Sequence, residues 1–141
     1  NKTSIACDLQ MTHRSGMKFR GSSKVIQVPN SLAIYGREKV YMGFSGSAHG
    51  WSEVIQWFYY PENKKPRVRD TELLMLNDKK EIWHSVDLTN WIQVKEDYFS
   101  IGSGSLYAMG ALATGVTPKE AVKVASKLDP YTGMGFKEFN L

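Results

Sequence analysis

The sequence predicts an α+β domain in which antiparallel sheet is covered by helices. Short strand-like segments dominate the first part of the chain, one helical segment interrupts them, and a helix pair and a last strand follow. The chain has 141 residues, of which 42% are hydrophobic and 23% charged. This is the composition of one globular domain with its own core, so we predict a single domain over residues 1–141.

The strand predictions rest on short β-branched or alternating segments that stop at turn residues. They cover residues 3–7, 17–19, 24–28, 32–35, 39–44, 73–76, 82–86, 91–94, 98–101 and 136–139. The segments 73–76 and 82–86 flank a polar turn and predict a hairpin. The rest of 9–23 is predicted to be loop.

Three helices are predicted. The first follows Ser45-Gly46-Ser47, has apolar residues at helical spacing, and ends at Pro61. The second covers residues 106–113. The third begins at a capping box with proline at the first helical position, Thr117-Pro118-Lys119-Glu120, and stops before Asp129-Pro130.

Composition excludes several classes of function. One cysteine, Cys7, allows no intrachain disulfide, and the three histidines lack metal-ligand spacing, so we expect no metal or cofactor. No apolar run approaches the roughly 20 residues that span a bilayer, and the start is unlike a signal peptide. We therefore expect a cytoplasmic protein without a membrane partner.

A basic segment at residues 62–70 is the main local concentration of charge. It carries Lys64, Lys65, Arg67 and Arg69 around Pro66. Such a run is usually a solvated surface loop, and nucleic-acid contact is the less favoured alternative. We expect no nucleic-acid partner.

Four short motifs occur in a fixed order. They are a strand ending in an acid, a lysine that opens the next strand, a strand-to-helix turn and a glycine-serine segment before a helix: Ile5-Ala6-Cys7-Asp8-Leu9-Gln10, Gly21-Ser22-Ser23-Lys24-Val25, Met42-Gly43-Phe44-Ser45-Gly46-Ser47 and Phe99-Ser100-Ile101-Gly102-Ser103-Gly104-Ser105-Leu106-Tyr107-Ala108. Each motif is weak alone, and their order and spacing carry the information.

Together the motifs resemble the proteasome β-type family, which includes the bacterial peptidase HslV. The segment Leu128-Asp129-Pro130-Tyr131-Thr132-Gly133 is similar to that family's acid, hydroxyl and glycine segment. The resemblance covers nearly the whole chain and implies a four-layer αββα sandwich of the N-terminal nucleophile hydrolase type. The helix layer is expected to be reduced, because the interval 47–102 has one clear helix where the family has two. Residues 30–37 look inserted.

The resemblance implies amide hydrolysis by an N-terminal threonine, whose hydroxyl is the nucleophile and whose α-amino group is the base. Asp8 would match the acid that orients the nucleophile's surroundings, and Lys24 the lysine whose charge helps to activate the hydroxyl. Gly46 would supply the oxyanion-hole N–H. Ser103, Asp129 and Thr132 would hold the terminal amine. The expected substrate-pocket residues are Gly43, Phe44 and Ser45.

The expected nucleophile is missing from the sequence as given. In the family it lies on a strand that precedes the one holding the acid, so Thr3 and Ser4 are on the wrong strand and Asn1 has no hydroxyl. We therefore expect that the family's first strand is absent here and that this chain as written hydrolyses no peptide. Cys7 is a poor alternative nucleophile, because cysteines within strands are mostly buried and inert.

Four of the site residues also have an ordinary structural interpretation. Asp8 and Lys24 could form a plain ion pair, Ser103 could cap the following helix, and Asp129 could simply end one. The aromatic residues of the first helix are expected in the core and in a subunit interface: Trp51, Trp57, Phe58 and Tyr59.

Two functions remain open. The first is a threonine-type peptidase subunit in a homo-oligomeric ring, acting on polypeptides with an ATP-dependent unfoldase or other assembly proteins as partners. The second is a catalytically silent relative with a structural role, such as a virion ring component, since phage genomes carry short HslV-like chains. If the protein is a peptidase subunit, Lys24 and Asp8 should lie within ion-pair distance.

Overall fold

The computed structural model describes residues 3–141 and divides into two compact units, one of residues up to 25 together with 98–141 and one of residues 26–97. The strands are β1 (Ser4–Asp8), β2 (Gln10–Thr12), β3 (Lys18–Arg20), β4 (Val25–Gln27), β5 (Val40–Gly46), β6 (Thr71–Asn77), β7 (Ile82–Ser85), β8 (Ile92–Val94) and β9 (Phe136–Asn140). The helices are α1 (Ser31–Tyr35), α2 (Ala48–Tyr59), α3 (Ser105–Ala113) and α4 (Pro118–Leu128). The single-domain prediction stays a prediction.

The second unit is organised around a five-stranded sheet with the order β4-β5-β6-β7-β8, in which β5 to β8 are antiparallel neighbours. Alternation along the strands directs Met42 and Leu73 to the same core. α2 covers this core with Val54 and Phe58, both fully buried and four residues apart, as its apolar spacing predicts. The predicted hairpin is β6–β7.

The first unit combines two strand pairs with a helix pair. β1 and β9 are antiparallel from Ser4 opposite Asn140 to Asp8 opposite Phe136, and β2 pairs with β3. α3 and α4 pack through small and aliphatic residues that allow close approach: Ala108, Leu112, Ala121 and Ala125. The predicted capping box is confirmed, since Thr117 Oγ1 accepts from Glu120 N and Glu120 Oε2 accepts from Thr117 N, both at 3.2 Å.

Two strand predictions are wrong. Residues 32–35 lie in α1, which Asn30 and Gly36 bracket in left-handed conformations at φ 55° and 66°. The Gly36 N–H donates to Leu32 O, an arrangement that ends a helix. This local hydrogen bonding favours a helical turn, although the short apolar pattern predicts a strand. Residues 98–101 form no strand in the described chain; Tyr98 instead packs against the α3–α4 core.

β2 was missed within the predicted loop. It has only three residues, so its polar–apolar–polar pattern is too short to predict a strand. In the interval 47–102, all of which the structure describes, α2 is the one helix, as expected. Of the helices described, none is both long and apolar enough to span a membrane.

Candidate active site

Asp8, the last residue of β1, is paired with Lys24, which directly precedes β4. Lys24 Nζ lies 2.6 Å from Asp8 Oδ1, and the two side chains are 15% and 11% exposed. The predicted ion pair is therefore confirmed. A pair so little exposed is energetically coupled, since either charge alone would be poorly solvated.

The second oxygen of Asp8 is also occupied. Oδ2 accepts from Gln10 N at 3.2 Å and from Gly133 N at 3.0 Å. Three donors from three different segments therefore fix the orientation of this carboxylate. Of these donors, the sequence predicts only Lys24 as a partner of Asp8.

Asp129 forms a second polar group at the end of α4. Its Oδ2 accepts hydrogen bonds from Ser103 Oγ and from Thr132 Oγ1, each at 2.6 Å, and its Oδ1 accepts from Tyr131 N at 3.2 Å. Asp129 N still donates to Ala125 O at 2.8 Å, so this residue ends the helix as well as binding two hydroxyls. The predicted hydroxyl–acid–hydroxyl set is thus brought together.

The pKa of Asp129 reflects these contacts. Burial raises the pKa of this carboxyl, but the hydroxyl donors of Ser103 and Thr132, the N–H of Tyr131 and the charge of Lys18 outweigh burial and leave the pKa below its ordinary value. Asp129 therefore stays ionised in the folded protein at neutral pH. It therefore accepts the two hydroxyl hydrogen bonds as a carboxylate.

This lowered pKa predicts how stability depends on pH. The contribution of Asp129 is fully present above the unfolded pKa, near 3.9, and is lost as pH falls through the lower folded pKa. Asp129→Asn removes the titration, so we expect the difference in free energy of unfolding between wild type and variant to shrink below about pH 4. Urea unfolding at several pH values tests this. A difference that stays constant across the acid range would contradict it.

A dipeptide joins the two polar groups. Thr132 binds Asp129 through its hydroxyl, and the next residue, Gly133, donates its N–H to Asp8. Gly104 permits a further close approach, because a Cβ there would lie 2.8 Å from Thr132 Oγ1 and 3.3 Å from Asp129 Oδ2. Gly104 and Gly133 are typical of places where the backbone approaches another group closely. The sequence does not show which groups they approach, because their partners are distant in the chain.

Gly46 lies in the second unit, at the end of β5. It takes φ 94°, and a Cβ there would collide with the Asp70 carbonyl, so only glycine fits without strain. Ser47, the next residue, is the N-cap of α2 and donates its N–H to Asp70 O at 2.7 Å. The oxyanion-hole role of Gly46 stays a prediction.

The predicted pocket residues occupy different environments. Phe44 is buried in the core of the second unit, where its ring packs against Trp51 at a centroid distance of 6.3 Å. Ser45 and Gly46 instead line an open surface pocket of about 300 Å³ together with Thr71, Glu72 and neighbouring residues. Gly43 lies on the same face of β5 as Ser45. Substrate contact by these residues stays a prediction.

The alternative nucleophiles lie in unsuitable places. Ser4 is at the opposite end of β1 from Asp8, roughly 13 Å away at about 3.3 Å per residue. Thr3 precedes it, and Asn1 is outside the described residues. Cys7 is buried, with Sγ 3.6 Å from Ser23 Oγ. Within residues 3–141, no three metal-ligating side chains come together.

Comparisons with known proteins bear on the fold. No family model and no curated protein matches the sequence. Among solved structures, eukaryotic HslV from Trypanosoma brucei superposes with a TM-score of 0.72 at 15% identity, over 99% of this chain and 93% of that one. Thiobacillus denitrificans BPH in complex with Epoxomicin gives 0.72 at 17% identity, over 99% and 92%. This chain has the fold of HslV and the proteasome β-type subunits.

Anbu, the ancestral β-subunit from Yersinia bercovieri, superposes with a TM-score of 0.71 at 13% identity, over 98% of this chain and 76% of that one. All three neighbours are proteasome-fold proteins of the N-terminal nucleophile type. The predicted resemblance and the predicted α+β fold of that type are therefore confirmed. At these identities the likeness establishes the fold, and the chemistry must be argued from the residues.

Proposed function

We propose that this protein is a threonine-type peptidase subunit and that residues 3–141 provide the polar side of its hydrolytic site. The main support is the conjunction of two satisfied carboxylates in one unit: Asp8 paired with Lys24, and Asp129 holding Ser103 and Thr132. An ordinary surface ion pair requires neither the second carboxylate nor the two hydroxyls it binds.

Each group has a role in the proposed reaction. A threonine that precedes residue 1 attacks the peptide carbonyl carbon with its hydroxyl oxygen, and the hydroxyl proton passes to its own α-amino group. The charge of Lys24 stabilises the developing alkoxide, and the Asp129 group holds the amine in place. The amine then returns the proton to the leaving peptide nitrogen, and water hydrolyses the resulting ester.

A comparison of three chains tests this proposal. The 141-residue chain should not cleave fluorogenic peptides, whereas the same chain extended by an upstream strand that begins with threonine should turn them over. An extension that begins with alanine is the control. Equal rates for the threonine and alanine extensions would contradict the proposal and favour the structural or virion role. Turnover by the 141-residue chain that is lost on Lys24→Ala would place the nucleophile elsewhere in this sequence.

The same proposal includes self-association, with an ATP-dependent unfoldase or another assembly protein delivering polypeptide in the cytoplasm. α3 supports self-association, because it has no charged residue and leaves Leu106 84% exposed. A helix that is apolar on its outer face is usually covered.

We expect sedimentation of the protein at micromolar concentration to give a mass that is a multiple of 16.0 kDa. Leu106→Lys should weaken the association, because it places a charge on the apolar face of α3. Met17→Lys, at another exposed apolar residue, is the matched control. A clean 16.0 kDa monomer would contradict this expectation.

A further inference from the structure

We infer that Gln10 is a positioning residue, which braces the segment 129–133 through the carbonyl of Pro130 and so keeps both carboxylates of the site in place. Gln10 is the first residue of β2 and is only 5% exposed. Its side-chain Nε2 donates to Pro130 O at 2.8 Å and to Thr12 Oγ1 at 3.2 Å.

The chemistry of this contact fixes the orientation of the amide. A carbonyl oxygen can only accept, so the nitrogen of the Gln10 amide must face Pro130. Both N–H groups of that nitrogen then have a partner, as a buried amide requires. Proline has no N–H, so its carbonyl is the one backbone hydrogen-bonding group by which residue 130 can be held.

Position in the chain makes this bond relevant to the site. Residue 130 directly follows Asp129; two residues later Thr132 binds Asp129, and the next residue, Gly133, binds Asp8. Gln10 also donates its own backbone N–H to Asp8 at 3.2 Å. One residue therefore contacts Asp8 through its main chain and the neighbour of Asp129 through its side chain.

The rest of the 129–135 segment is held by backbone contacts near Gly133. Leu9 N donates to Gly133 O at 3.2 Å and to Gly135 O at 3.1 Å. These bonds anchor the far end of the segment. The end nearest Asp129 has Gln10 as its side-chain tie to β2. Loss of Gln10 should therefore loosen residues 130–132 first, where Tyr131 N and Thr132 Oγ1 donate to Asp129.

Two variants test the inference without any turnover. Gln10→Met keeps the length of the side chain and removes its donors, and Gln10→Leu also removes the donors; neither variant adds a charge near Asp129. With either, we expect the Tyr131 amide to exchange hydrogen about tenfold faster or more, whereas the Gly133 amide, at the end that Leu9 anchors, should change less. NMR titration should show the Asp129 pKa moving up toward its ordinary value, with Lys18 still contributing its charge.

Gln93→Met is the matched control, because Gln93 Nε2 also bonds a side chain, Glu81 Oε2 at 3.3 Å, but in the second unit. The Gln93→Met change should leave amide hydrogen exchange and the Asp129 pKa unchanged. Unchanged exchange and an unchanged Asp129 pKa in a folded Gln10 variant would overturn the inference, even if the protein hydrolyses peptides. Conversely, if the Asp129 pKa shifts in the Gln10 variants but the protein has no peptidase activity, the positioning role of Gln10 stands and only the proposed function is contradicted.

Discussion

Replacing Lys24 with alanine in the threonine-bearing protein should lower kcat/KM for peptide hydrolysis by about a thousandfold or more. Lys24 Nζ lies 2.6 Å from Asp8 and is only 15% exposed, so its charge acts in a partly water-excluded place. In such surroundings a fixed cation stabilises a developing alkoxide far more than it does in bulk water. Alanine removes that charge and leaves the Asp8 carboxylate without its cationic partner.

Fluorogenic peptide assays on purified protein measure this effect. Lys79→Ala is the control, because Lys79 is an exposed lysine in the β6–β7 turn of the second unit. It should retain the rate of the parent. A folded Lys24→Ala variant that loses less than about tenfold would show that this charge does not serve the reaction.

The second large effect concerns stability. Asp8→Ala should lower the free energy of unfolding by about 3 to 5 kcal/mol, the usual cost of breaking a buried ion pair from one side. The variant leaves Lys24 without its anion and the N–H groups of Gln10 and Gly133 without their acceptor. All three groups would then need water in a place that now excludes most of it.

Urea unfolding of the 141-residue chain is sufficient for this measurement. Arg37→Ala is the control, because Arg37 and Glu81 form a longer pair at 3.4 Å with side chains 30% and 27% exposed. That change should cost no more than about 1 kcal/mol. A loss of about 1 kcal/mol or less in Asp8→Ala would mean that the carboxylate is better solvated than its contacts indicate.

The parts of this fold that follow a local rule were predictable from the sequence. The capping box at Thr117, the helical spacing of Val54 and Phe58, and the polar turn of the β6–β7 hairpin each act within a few residues. α1 was not predictable in this way, because the four-residue apolar segment 32–35 fits a strand as well as a helical turn. The left-handed conformations of Asn30 and Gly36, at the two ends of α1, favour the helical turn.

The same distinction between local and distant signals applies to the residues of the candidate site. Asp8, Lys24, Ser103, Asp129 and Thr132 were found because they lie in short motifs with a recognisable order. Gln10 and the Gly133 N–H were missed, since Gln10 binds Pro130 from 120 positions away and a backbone donor has no side-chain signal. For Asp129 the sequence allows both a helix stop and a site residue, and the contacts of this carboxylate show that the two roles are compatible.

The most direct test of the central claim is the identity of the first residue of the mature protein isolated from its natural source. The proposed mechanism needs a hydroxyl nucleophile that carries its own free α-amino group, because no other base is assigned to it. N-terminal sequencing with intact-mass measurement should therefore find threonine as the first residue, in a segment upstream of β1. A mature protein that begins with a residue lacking a nucleophilic side chain, such as Asn1, would contradict the account and leave a silent protein of the same fold.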